Sequence, residues 1–273
     1  TANIAMKEAK TQREDIAIYS IDYSRQKEYE SNIAWGAKLH DALRHGRIVP
    51  YYQPVVNNKT LQWEKFEALV RLVEHEGKVY SPFYFLDIAK QTKQYKALTR
   101  AVVEKTFETF SHRLEDFSIN LSIDDILDTS TRNFLFDTIK RYNVGKRLVL
   151  EIVESEGIEN FEEVTAFIDD AKALGCQIAI DDFGTGYSNF AYLLRLKADY
   201  IKIDGSMIEN LATDNNSRLI VQAIVSFAKS IGLKTIAEFV KDEATFNEVV
   251  KLGIDYSQGY YFSPPLHEPL KTS

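Results

Sequence analysis

From residue 117 onward the sequence settles into a beat that few folds can carry: short, nearly continuous apolar runs alternate with longer stretches of helical period. The apolar runs fall at 117–123, 147–153, 177–182, 200–203, 233–237 and, more briefly, 254–256. Helices are expected between them at 133–142, 161–174, 188–194, 217–231 and 243–252. Strands that are apolar on both sides and separated by helices are parallel and buried on both faces. Two earlier candidates, 48–56 and 63–73, are rich in valine, tyrosine and other strand formers, and a helix at 95–114 follows them. Together they bring the strand count to about eight, the number that closes a barrel. The expected fold is therefore α/β, a TIM-like (β/α)8 barrel. An open doubly wound sheet is the competing topology, but no glycine-rich nucleotide turn follows an early strand. Residues 1–45 read mostly as helix, interrupted by the strand-like Ile16-Ala17-Ile18-Tyr19.

Composition supports one large unit. The 273 residues are 45% hydrophobic, enough for a sizeable core. Lys and Arg number 33 against 40 Asp and Glu, a formal charge of -7. That balance disfavours a polymeric nucleic acid, which needs a basic face. A small anionic ligand stays compatible, because a bound metal inverts the local charge. Cys176 is the only cysteine, which excludes an internal disulfide and a cysteine-based zinc site and fits a reducing, cytoplasmic setting. Its apolar neighbours make it a core residue. No stretch is long and apolar enough to span a bilayer, and no signal peptide is visible. The start at Thr1-Ala2-Asn3 suggests a piece of a longer protein, whose remainder could be membrane-anchored.

Function is carried by the polar residues at the strand ends. Glu67 lies in the second strand. Asn120 follows Phe117-Ser118-Ile119, Glu151 follows Leu148-Val149-Leu150, and Asp181-Asp182 follow Ile178-Ala179-Ile180. Lys202 sits between Ile201 and Ile203, Glu238 follows Thr235-Ile236-Ala237, and Gln258 follows the last strand. In a barrel these ends converge on the face that carries catalysis. Taken singly, Glu67 is an ordinary solvated residue and Asp181-Asp182 could cap a helix before Gly184-Thr185-Gly186. A lysine inside an apolar strand is harder to dismiss, because burying it unpaired is costly. Carboxylates gathered at short range repel, so either several are protonated or cations neutralise them. An all-oxygen set with one amide suits hard ions such as Mg2+ or Mn2+. Adjacent aspartates are useful if one bridges two ions and the other holds the second, and ions about 4 Å apart suit in-line displacement at phosphorus. Lys202 could orient the attacking water or take its proton. Other strings carry nothing: Asp182-Phe183-Gly184 lacks every other kinase element, the histidines show no paired ligand spacing, and no serine sits in a nucleophile elbow.

At these residues the chain resembles the EAL family of cyclic di-GMP phosphodiesterases. The resemblance runs from Glu67-Ala68-Leu69-Val70-Arg71 through Tyr52-Gln53-Pro54, Asn120-Leu121-Ser122, Glu151-Ile152-Val153-Glu154-Ser155, Asp181 to Ser188, Lys202-Ile203-Asp204-Gly205-Ser206, Ala237-Glu238 and Gln258-Gly259-Tyr260. It implies a barrel whose first strand runs antiparallel to the rest. It implies hydrolysis of cyclic di-GMP to linear pGpG with two Mg2+ or Mn2+ ions. By motif, Glu67, Asn120, Glu151, Asp181, Asp182 and Glu238 correspond to the metal shell, and Lys202 to the residue that activates water. Glu154 resembles the glutamate that anchors the loop at 183–189, which the family also places at a homodimer interface. Gln53, Arg71, Asp204 and Gln258 match substrate-side or supporting positions.

The resemblance also divides the chain. Residues 1–22 are similar to the end of a GGDEF cyclase domain, 23–38 form a linker helix, and 39–273 form the EAL domain. Three departures stand out. The family often has Gly-Val-Glu after its Ala-Glu, where this chain has Phe239-Val240-Lys241, and Lys90 stands where the family has an acid. The competing function is a non-catalytic receptor that binds cyclic di-GMP and signals through a protein partner, with a bare interaction module behind it.

Overall fold

A computed structural model describes residues 23–153, 161–184 and 190–270. A long helix, α1 (Tyr23–Arg44), leads into an antiparallel pair, β1 (Ile48–Asn57) and β2 (Trp63–Val73). β3 (Val79–Tyr80) is a two-residue strand on the edge of β2, and α2 (Leu86–Gln91) and α3 (Tyr95–Ser111) follow. The rest alternates: β4 (Asp116–Leu121), α4 (Ile123–Leu127), α5 (Thr129–Tyr142), β5 (Leu148–Val153), α6 (Phe161–Ala173), β6 (Gln177–Phe183), α7 (Phe190–Arg195), β7 (Tyr200–Ile203), α8 (Gly205–Ile208), α9 (Asn215–Ser230), β8 (Lys234–Ala237), α10 (Glu243–Leu252) and β9 (Tyr256–Ser257).

The strands close into a barrel. Pairing runs β1-β9-β8-β7-β6-β5-β4-β2, and β1 pairs back onto β2. β1 is antiparallel to both neighbours, whereas β2 and β4 to β9 are parallel to one another. The short hairpin from β1 to β2 leaves no room for a crossover helix, so the pair must be antiparallel. The eight-stranded barrel and the reversed first strand match the expectation. β3, α2 and α4 were not foreseen. Ser122, at the tail of an expected strand, instead caps α4 through a reciprocal box with Asp125. The expected helix at 133–142 starts a turn early because Asp128 accepts from Thr131 N, and Asn143 ends it in the left-handed region. The interruption expected at 16–19 and the division at 1–22 lie outside the described residues.

Two apolar layers hold the barrel. The outward faces of the strands, including Ile119, Leu150, Ile152, Ile178, Ile180, Ile201 and Ile203, pack under the helices with Phe107, Phe110, Phe117 and Phe167. Cys176 is buried in this layer, and burial pushes its thiol up to about 12, so it is inert packing. Inside the barrel, Val55, Val149, Ala179, Tyr200 and Ile236 form a smaller core with Tyr256 against it. That inner core is the floor on which the site stands.

Candidate active site

Because side chains alternate across a strand, the residues one pleat above the floor lie two positions on in each parallel strand. Val149 gives Glu151, Ala179 gives Asp181, Tyr200 gives Lys202, Ile236 gives Glu238 and Tyr256 gives Gln258. β1 runs the other way, so its residue at this level, Gln53, comes two before Val55 and lies opposite Glu67 of β2. Below Glu67, Lys65 plugs the barrel's other end. Its Nζ lies 2.6 Å from Asp116 Oδ2 and 5.0 Å from the centroid of the Tyr200 ring. Burial works against this charge, but Tyr200 and Asp116 overcome it and push the pKa up to about 12.

Lys202 is the centre of the upper ring. Only 1% exposed, its Nζ lies 2.7 Å from Glu151 Oε2, 2.9 Å from Asp181 Oδ1, 2.9 Å from Glu238 Oε1 and 3.3 Å from Glu67 Oε2. Glu67 is further held by Asn120 Nδ2 at 2.6 Å and Gln258 Nε2 at 2.7 Å. Gln258 Nε2 also donates to Gln53 Oε1, and Gln53 Nε2 to Ser263 O. These bonds fix both amides, which leaves Gln258 Oε1 as a buried acceptor without a partner.

Asp181 and Asp182 should face opposite sides of β6, since they are adjacent in a strand. A bulge prevents this. Ile180 pairs with Ile201 but Phe183 with Ile203, so β6 carries one extra residue. Asp182 absorbs it at φ 55°, in the left-handed region that aspartate tolerates better than most residues. As a result Asp181, Asp182 and Glu238 each bring an oxygen within 4.8 Å of the others. The strand runs on to Phe183, so the helix-capping alternative for this pair does not hold.

Charge is unbalanced at this level. Burial would raise the Glu67 carboxyl, but Lys202, Gln258 and Asn120 hold it below its usual value. The others cannot share that cation equally. Burial, with the charges of Glu67 and Asp181, pushes Glu151 up to about 8. Burial drives Glu238 well above the carboxylate range despite Lys202. Asp182 is raised by burial, then by Asp181 and Asp204. Burial disfavours the Lys202 ammonium, yet Asp181, Glu151, Glu238 and Glu67 keep it charged far beyond neutrality. The ring thus has more carboxylates than one lysine can neutralise. Asp181 Oδ1, although near Lys202, has no aligned hydrogen bond. Hard oxygen donors in excess of local positive charge fit a divalent cation.

Two cavities flank the ring. One, about 280 Å³, lies beside Asn120, Asp181 and Asp182 and runs under α2 and α3, with Lys90 in its lining. The other, about 400 Å³, opens beside Glu67 and Glu238 and is lined by Arg71, Glu209, Phe239, Lys241 and Tyr260. Arg71 and Gln258 therefore face the second cavity. Asp204 does not line either one. Its carboxylate caps α8 by accepting from Ser206 N at 2.9 Å and from the Ser206 hydroxyl, and its charge reaches Asp182. Glu154 and the loop at 185–189 lie outside the described residues. Sequence reasoning overlooked Lys65, although its spacing of two from Glu67 puts it on the same face.

A closed barrel with acids and one buried lysine at its C-terminal strand ends defines a class of enzyme-like scaffold suited to hard cations and anionic ligands. The chain belongs to the EAL domain family, matched over residues 37–265. It is 30% identical over 246 residues to the cyclic di-GMP phosphodiesterase PdeF of Escherichia coli, covering 88% of this chain and 33% of that protein. It is 31% identical over 235 residues to the cyclic di-GMP phosphodiesterase PdeA of Borreliella burgdorferi, covering 84% of this chain and 35% of that protein. The chain thus spans about a third of the length of these curated relatives. A solved structure described as the PaMucR phosphodiesterase in complex with c-di-GMP superposes with TM-score 0.80 at 29% identity, covering 85% of this chain and 97% of that one. No helix among the described residues is long and apolar enough to cross a membrane.

Proposed function

We propose that this chain hydrolyses one phosphodiester of cyclic di-GMP to give linear pGpG, using two divalent ions, Mg2+ or Mn2+. The observation that carries the reading is the excess of carboxylates around Lys202, set between two cavities. A cyclic dinucleotide has the matching shape, with charged phosphates at its centre and a base on either side.

In this reading Glu67, Asn120, Glu151, Asp181, Asp182 and Glu238 hold the ions, which when bound supply positive charge to the scissile phosphate and acidify water. Lys202 aligns the attacking water, and its ammonium keeps the ring from flying apart before ions arrive. Gln53 and Gln258 act as one strut, tied to Ser263 O, that fixes the Glu67 carboxylate. Arg71 offers a planar fork to a phosphate or a guanine edge. Asp204 caps α8 beside the site and its charge acts on Asp182, and Glu154 anchors the loop at 183–189, as in the family it resembles. The named relatives support hydrolysis as the activity.

The test is chromatography of cyclic di-GMP incubated with the protein and Mg2+ or Mn2+. Appearance of pGpG, lost in Glu67→Ala, is expected. Folded, metal-loaded protein that yields no pGpG would refute the proposal. Binding by calorimetry without turnover would identify a receptor instead.

A further inference from the structure

Position 239 is occupied at a cost. Phe239 has φ 53°, a conformation that residues with a Cβ avoid. It is also 66% exposed, next to the half-buried Glu238. An aromatic residue held both strained and in water is a feature to explain, because such strain persists where the surroundings over-determine it.

The surroundings here do so. Glu238 N donates to Ile203 O, Gln258 N to Ala237 O, Val240 N to Gln258 O and Tyr261 N to Val240 O. A Cβ on Gly259 would lie 2.1 Å from Val240 O, so glycine is what lets these two segments lie together. On the other side the Phe239 ring rests on Gly205. A Cβ there would fall 2.3 Å from Phe239 Cδ2. The ring is therefore seated on one glycine, its backbone is clamped to the segment that carries another, and it lines the cavity beside Glu67 and Glu238. Tyr260, 73% exposed, stands on the same rim.

The polar lining narrows the ligand. Arg71 and Lys241 offer donors and Glu209 an acceptor. A guanine base needs both kinds: acceptors O6 and N7 on one edge, donors N1–H and N2–H2 on the other. Splayed bases are recognised in this way, stacked on an aromatic face and bonded at their edges.

We propose that Phe239 is a specificity-determining stacking platform for one guanine of the substrate, with Tyr260 on the flank. The inference rests on the reading that this site takes a guanine dinucleotide. Lys241 then serves the base or its phosphate in the same cavity, and the aromatic ring does work that a glycine at 239 could not.

The test uses Phe239→Ala, Phe239→Gly and Phe239→Trp in the full chain with Mn2+. Losing one stack is worth about tenfold in affinity. F239A and F239G should therefore raise KM for cyclic di-GMP about tenfold with kcat little changed, and F239W should restore it. F239G should at the same time raise the Tm, because glycine relieves the left-handed strain. A merely structural ring would lower the Tm and kcat together. The fluorescence that F239W adds should be quenched on titration with cyclic di-GMP or 5′-GMP and not with ribose 5-phosphate. KM within twofold of the parent in F239A, with the parent active, would overturn the platform and leave the activity standing. If the parent is inactive, the titration decides: no quenching by either guanine nucleotide overturns the proposal, and quenching upholds it.

Discussion

Replacing Lys202 by methionine isolates what the ring owes to the cation at its centre. The ammonium is buried within 3.3 Å of carboxylate oxygens from Glu67, Glu151, Asp181 and Glu238. Breaking a buried ion pair by removing one partner costs about 3–5 kcal/mol. Here Glu151 and Glu238, both pushed up by burial, can take up protons, so the low end applies near pH 6 and the high end at pH 8. For a chain of this size about 1 kcal/mol moves the Tm by 2–4 °C. K202M without divalent ions should therefore melt about 6–12 °C below the parent at pH 6, and lower still at pH 8. Ions should reverse the order of effects: added Mn2+ should raise the Tm of K202M by more than that of the parent, because the ion meets uncompensated charge. The assay is thermal unfolding by circular dichroism with EDTA or Mn2+ at both pH values. A metal-free K202M within 2 °C of the parent at pH 8 would refute the reasoning that Lys202 holds the ring together.

Three more predictions follow from particular residues. Glu151 has a folded pKa of about 8 against an ordinary value of 4.5. Its proton is bound more tightly in the folded state, so its contribution to stability falls as pH rises between those values. In EDTA the Tm should decline from pH 6 to 8, and Glu151→Gln should flatten that slope; an equal slope in E151Q would refute the assignment. Lys65→Met removes the ion pair at the barrel's floor, away from the strand ends that carry the ring. It should cost about 2–4 kcal/mol in urea unfolding, while turnover per folded molecule, measured alongside, stays within twofold; a large kcat loss would refute the separation of floor from site. Gly205→Ala drives a Cβ into the Phe239 ring. Overpacking of this kind costs about 1–3 kcal/mol, and Phe239→Gly should rescue it, so a double-mutant cycle on Tm should show strong coupling; additive effects would mean the ring does not rest there.

Much of this molecule could be read in one dimension. Apolar runs with helices between them leave few options except parallel strands buried on both faces. Polar residues at the ends of successive strands then have one place to meet. Glu67, Glu151, Asp181 and Glu238 do converge on Lys202, from segments up to 171 residues apart in the sequence, the separation of Glu67 and Glu238. The lysine was legible as an anomaly because an ammonium inside an apolar strand must find partners.

Other features needed three dimensions, for reasons that lie in backbone geometry. Alternation says that Asp181 and Asp182 diverge; only the extra residue in β6 and the left-handed turn at Asp182 bring them to one side. The sign and size of each carboxyl's shift depend on who sits nearest Lys202, which no spacing reveals. Phe239 reads as a bulky substitution in sequence. Its seat on Gly205, its strained φ and its place in the cavity lining exist only once β7 and β8 are side by side. Sequence alone determined the eight barrel strands and which ionisable side chains they carry, because burial and periodicity are local in the chain. Tertiary structure decided which oxygen meets which cation, because those distances are set by the register and bulges of strands far apart in sequence.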